Sequence, residues 1–242
     1  QIHNTVSTNV IPDDTQTTLV NTAELDADWC DPFEAGTTEI APFFMLDSRQ
    51  PLRVPMMMNE AICNYAEVRG VQVVEKSYQH PEFSIMFMIP PRGTDEWRQF
   101  ESMLDDQFVD RAVRLMGGQL VQLHVPRFEL DCCYELSDTL CELGMPDAFD
   151  QENADFSGTV TPPGQGYLQR VVHRAVLRVR EGQTVRSAEP EGEASGGFGG
   201  GYGSGMWAPK PVTVRLDHPF VLIVRHKSSG SILFVGRVME PT

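Results

Sequence analysis

An α+β fold dominated by long strands is expected from three features of the sequence. Most apolar residues fall in short alternating or continuous runs bounded by Pro, Gly and Asn. One segment, Thr94–Gly118, changes to a helical period. The strands and helices do not alternate regularly, as a parallel α/β sheet requires.

The elements follow in chain order. "TTLVNTAEL" (17–25) reads as a strand start with polar interruptions. "FFML" (43–46), "LRVPMMM" (52–58), "VQVVEKSY" (71–78) and "FSIMFMIP" (83–90) read as strands. Trp97, Phe100, Leu104, Phe108, Ala112 and Leu115 recur at helical spacing and predict one core-facing helix. Thr94 or Asp95 would cap it and Gly117-Gly118 would end it. "QLVQLHVPRFEL" (119–130) alternates and predicts a single long strand. "SDTLCELGM" predicts a short helix, capped by Ser137 and closed by Gly144. "GYLQRVVHRAVLRVRE" predicts another long strand. Val172, Arg174, Val176 and Arg178 alternate there with His173, Ala175, Leu177 and Val179. "PVTVRL", "FVLIVRH" and "ILFVGRV" complete the set, with "KSSG" as the hairpin turn between the last two. Three strands cannot form a stable core alone, so these must pair with strands earlier in the chain.

The composition narrows the function. The 242 residues carry a net charge of −15, which disfavours binding to nucleic acid and to anionic membranes. No apolar run has transmembrane length, and the sequence as it begins shows no signal peptide. The five cysteines (Cys30, Cys63, Cys132, Cys133 and Cys141) have neither an even count nor metal-ligand spacing. No metal and no cofactor is expected. No nucleophile–base constellation points to an enzyme.

The glycine-rich stretch "ASGGFGGGYGSGMWAPKP" (194–211) is not a phosphate-binding loop. The strand before it ends near Arg180, and strand rather than helix follows it. It is a long excursion within one domain, and such loops are usually functional or disordered.

Several segments, in order, resemble the serpin family. They are "LVNTAELDADWCDPF", "RVPMMM", "NYAEVRGVQVVEKSYQ", "LHVPRFEL", "YELSDTLCELGMPDAF", "ADFSGTV", "YLQRVVHRAVLRVREGQT" and "LDHPFVLIVRHKSSGSILFVGRV". The resemblance implies a mixed fold of three β-sheets with surrounding helices and a long exposed reactive-centre loop. Residues 1–242 would be a single serpin domain, with hinge and loop at 183–211. The implied function is inhibition of a serine-type endopeptidase. The protease cleaves the loop, whose hinge then inserts as a strand into the central sheet. The chain would act as a monomer. It would be extracellular by family habit, whereas the odd cysteines and missing glycosylation sequons favour the cytoplasm.

Individual roles follow from the same resemblance. Trp29 matches the tryptophan at the top of the central sheet, where insertion begins. His173 matches the histidine of the shutter. Glu181 matches the acidic residue at the base of the loop, and Thr184 the hinge threonine. Scissile candidates are Met206, Trp207, Ala208 and Lys210. The apolar Met206 and Trp207 suit a chymotrypsin- or elastase-like enzyme, whereas Pro211 blocks cleavage after Lys210.

The sequence also departs from the family. Gln183 stands where a hinge glycine is usual. Strand alternation and family register put Thr184, Arg186, Ala188 and Pro190 on the face to be buried. An unpaired Arg186 and a ladder-breaking Pro190 oppose insertion. Glu24 and Asp26 stand where apolar, aromatic or basic residues are usual. The N-terminal half of a serpin is not seen before Gln1, so a truncated chain is expected. The alternatives to an inhibitor are therefore a non-inhibitory serpin-like binding protein or an inactive truncated product.

Overall fold

A computed structural model describes residues 17–158, 166–182 and 210–241. The strands are β1 Thr18–Leu25, β2 Glu39–Phe43, β3 Leu52–Val68, β4 Val71–Ser77, β5 Phe83–Ile89, β6 Gly117–Pro126, β7 Phe128–Glu135, β8 Arg170–Val179, β9 Val212–Arg215, β10 Phe220–His226 and β11 Ile232–Val238. The helices are α1 Thr94–Met103, α2 Asp106–Leu115 and α3 Ser137–Glu142. The chain divides into two compact units. One combines Gln1–Asp26 with Glu129–Val179, the other Ala27–Phe128 with Arg180–Thr242.

The first unit is built on a three-stranded sheet in the order β1-β8-β7. β1 and β8 run parallel, in register from Thr18↔Arg170 to Leu25↔Leu177. Alternation along β8 sends Arg170, Arg174 and Arg178 to one face. Arg170 bonds Glu135, Arg174 bonds Asp131 and Arg178 bonds Glu129, all on β7. Partner numbers fall as the arginine numbers rise, so β7 runs antiparallel to β8. Ser137 does not cap α3; Leu136 takes that position. The Ser137 hydroxyl instead donates to Glu135 at 2.5 Å and accepts the N–H of Val171 at 3.0 Å. Gly144 closes the helix with φ 108°, as its sequence position predicts.

The second unit holds an eight-stranded sheet, β11-β10-β5-β4-β3-β6-β9, with β2 on β3. The three sheets implied by the resemblance are thus found as two among the described residues. The 17-residue β3 fuses what would be separate sheets. It pairs with β2 at its start (52–56), with β6 through its middle (56–65) and with β4 at its end (64–68). The three C-terminal strands pair with earlier ones, β9 with β6 and β10 with β5. β5 and β10 are buried nearly throughout, which explains their continuous apolar runs. One face packs Val73, Met86, Met88, Val221 and Ile223 against Trp97, Phe100, Phe108 and Ala112 of the helices.

Six sequence expectations are corrected here. The Thr94–Gly118 segment is two helices, because Asp105 accepts the N–H of Phe108 at 2.7 Å and starts α2 afresh. Leu115 is exposed rather than core-facing, Gly93 rather than Thr94 or Asp95 precedes α1, and Gly117-Gly118 open β6. The 119–130 strand is divided at Arg127 into β6 and β7, although the Arg127 N–H still follows the β6–β3 register to the Pro55 carbonyl at 2.8 Å. The strand expected at 43–46 runs instead from Glu39 to Phe43.

Candidate functional site

The larger unit contains the anchor of the chain as it leaves β8. Trp29 is 4% exposed and makes one antiparallel bridge to Tyr78. Its ring stacks on Tyr78 at 4.7 Å and 11°, and meets Phe33 edge-on at 5.8 Å. Its indole N–H donates to the Arg180 carbonyl at 2.7 Å. Phe33 N–H donates to the Glu181 carbonyl at 3.0 Å. Two residues of the loop base are therefore tied by main-chain carbonyls to the 29–33 segment.

The Glu181 side chain adds a second tie. Its carboxylate accepts from Arg127 and, at 2.8 Å, from the Thr38 hydroxyl. Partial burial pushes this carboxyl up, but the bonds from Arg127 and Thr38 outweigh it and hold it below the usual range. Beneath lies Lys76, buried, with its ammonium 4.9 Å from the Phe33 ring centroid and 5.8 Å from that of Trp29. It donates to Asn59 Oδ1 at 3.1 Å. Burial lowers the pKa of Lys76.

Gly182 has φ +86°, a conformation that L side chains rarely adopt, and a Cβ there would lie 3.1 Å from Trp29 Cδ1. The glycine that turns the chain thus directly precedes Gln183. Gly182→Ala is expected to cost about 1–2 kcal/mol from the left-handed backbone alone, before any shift of Trp29. A lowered midpoint in urea, read by tryptophan emission, checks this.

In the smaller unit, His173 lies mid-strand on β8, half-buried and paired with Asn21 of β1. Lys210 is exposed, just before β9. Gln183, Thr184, Arg186, Ala188, Pro190, Met206, Trp207 and Ala208 lie outside the described residues. The ties to Arg127, Thr38, Lys76 and Tyr78 were not foreseen in the sequence.

A model of the serpin family, described as serine protease inhibitor, matches residues 1–241. The chain belongs to the serpin family. Rat thyroxine-binding globulin is 32% identical over 226 residues, covering 93% of this chain and 51% of that protein. Leukocyte elastase inhibitor of Xenopus laevis is 28% identical over 246 residues, covering 100% of this chain and 62% of that protein. The chain therefore spans between about half and two thirds of the length of these curated relatives. Human thyroxine-binding globulin complexed with thyroxine superposes with a TM-score of 0.79 at 26% identity, over 100% of this chain and 60% of that one. Native protease nexin-1 with heparin gives 0.82 at 21% identity, over 99% and 60%. The serpin fold is shared with both. No helix among the described residues is long and apolar enough to cross a membrane.

Proposed function

We propose that this serpin is an inhibitor of chymotrypsin- or elastase-like serine endopeptidases, working as a monomer by suicide-substrate loop insertion. Residues 1–242 act as a single domain, with 183–211 as its hinge and reactive-centre loop. The parallel β1–β8 pairing is the observation that carries this reading. A segment that continues from β8 and folds back is antiparallel to β8, and therefore also to β1. Its insertion exchanges one parallel pairing for two antiparallel ones, which gains ladder hydrogen bonds and a slightly more stable geometry. Trp29 and Glu181 hold the start of that segment, Gln183 and Thr184 enter first, and His173 lies along the path. Cleavage falls at Met206, Trp207 or Ala208, with Lys210 protected by Pro211.

A second reading is a non-inhibitory serpin, cleaved as a substrate or serving as a binding protein. Arg186 and Pro190 favour it, since a buried unpaired guanidinium and a missing ladder N–H both oppose insertion. Secretion fits the first reading. The five cysteines, all unpaired, fit a reducing cytoplasm.

Incubation with chymotrypsin and elastase separates the readings. Cleaved chain is expected as the main product, with a minority of SDS-stable complex and a raised melting temperature after cleavage. Near-equimolar complex formation would remove the second reading. No complex and an unchanged melting temperature would remove the first. N-terminal sequencing of the released fragment fixes the scissile bond.

A further inference from the structure

Glu24 stands where serpin resemblance leads one to expect an apolar, aromatic or basic residue, and the structure gives it a partner. The Arg178 guanidinium lies between two carboxylates on opposite neighbours of β8. Its Nη1 donates to Glu24 Oε1 on β1 at 2.7 Å. Its Nε and Nη2 donate to the two Glu129 oxygens on β7 at 3.0 and 3.1 Å. Arg170 and Arg174 bond carboxylates of β7, whereas Arg178 reaches both ways and bridges the whole three-stranded sheet.

The position of this bridge matters as much as its geometry. Glu24 is the penultimate residue of β1 and Arg178 the penultimate residue of β8. Three residues after Arg178 the chain reaches Glu181, the base of the loop. A strand entering between β1 and β8 from that end meets the Glu24–Arg178 pair at once. Entry doubles the spacing of β1 and β8 from about 4.8 Å to roughly 9–10 Å. The direct contact must then release. Both side chains are about three-quarters shielded from solvent, at 25% and 27% exposure, so water replaces the lost bond only partly.

We propose that the Glu24–Arg178 pair is a latch across the β1/β8 seam that holds the central sheet closed against strand entry. The latch rests on the loop-insertion reading for its purpose, but its effect on the seam is independent of it. Glu129 sets the geometry: by holding two guanidinium nitrogens, it aims the third at Glu24. A charge at position 24 therefore restrains sheet opening in addition to any restraint in the hinge.

Hydrogen–deuterium exchange and peptide uptake test the two parts separately. The chain, Glu24→Gln and Glu129→Gln are compared, with folding checked by circular dichroism. Glu24→Gln is expected to exchange about 3- to 10-fold faster at the amides of residues 19–25, as suits loss of one half-buried charge-assisted bond. Glu129→Gln removes the charge that aims Arg178 but keeps the direct Glu24–Arg178 contact, and is expected to speed that exchange by less than Glu24→Gln does. Arg178→Lys, whose single ammonium cannot fork to both neighbours, should behave like Glu24→Gln and replaces it if the Glu24→Gln chain folds poorly. A fluorescent 183–196 peptide carrying R186A and P190A then reports strand entry, with uptake faster in Glu24→Gln by a similar factor. Equal exchange in Glu24→Gln, Arg178→Lys and the parent overturns the latch, whatever the peptide does. Faster exchange without peptide uptake by any chain upholds the latch and overturns the loop-insertion reading instead.

Discussion

Trp29→Ala is expected to destabilise the larger unit by about 3–5 kcal/mol, the range for truncating a buried Trp. The indole packs against the rings of Tyr78 and Phe33 and against Gly182. Three distinct losses combine. The stacked face of Tyr78, whose hydroxyl is already buried without a hydrogen bond, loses its partner. The Arg180 carbonyl loses the indole donor at 2.7 Å. The Lys76 ammonium keeps Phe33 but loses a second aromatic face. Trp29→Phe keeps most of the packing and loses the hydrogen bond, so it should cost about 1–2 kcal/mol. Urea unfolding followed by far-UV circular dichroism checks both. Equal midpoints for Trp29→Ala and the parent would show that the indole is not part of the packed core. The same variants should also loosen residues 180–182, where proteolysis would report the change.

Legibility in the sequence followed the range of the interactions. The alternation of β8 and the continuous apolar runs of β5 and β10 are local patterns, and each element was placed from its own residues. The break between α1 and α2 is also local, but the apolar period runs through it. The Asp105 cap, which the period cannot register, decided it. β3 was seen only in part, because Asn59, Glu60 and Asn64 interrupt its pattern. Asn59 and Asn64 are accommodated by partners on other segments: Asn64 by Glu75 of β4, Asn59 by Lys76 and the Pro32 carbonyl. At the loop base, Trp29 and Glu181 were identified through family resemblance. Their partners were not, since Arg127 lies 54 residues from Glu181 and Thr38 lies 143. Glu24 shows the same limit from the other side. It looked like a departure from the family until its partner, 154 residues away, came into contact.

Glu75 is the acidic counterpart of Trp29 in expected effect, and its consequences extend to pH. It is 3% exposed, in the centre of the larger sheet. One carboxylate oxygen accepts from Ser84 Oγ and from Arg225 Nε, both at 2.8 Å, and the other accepts from Asn64 Nδ2 at 2.9 Å. The group thus joins β3, β4, β5 and β10 through one charge. Glu75→Ala leaves the Arg225 guanidinium, 12% exposed, without its counter-charge and is expected to cost about 3–5 kcal/mol. The double variant Glu75→Leu/Arg225→Met removes both charges and should recover most of that loss, because two well-packed apolar groups have no desolvation to offset. Burial pushes the Glu75 carboxyl up, but the bonds from Arg225, Asn64 and Ser84 outweigh it and hold it below the ordinary value. The folded chain therefore binds fewer protons at this site than the unfolded chain. The stability it contributes is complete above the unfolded value of about 4.3 and is lost as the pH falls through the lower folded value. Glu75→Gln, which carries no titrating group, should be less stable than the parent at pH 7. The gap should narrow on acidification below about pH 4.3. Urea midpoints of the two proteins at pH 7, 5, 4 and 3 measure it, and a gap independent of pH would show that Glu75 binds protons alike in the folded and unfolded chain, its carboxyl not held below the ordinary value.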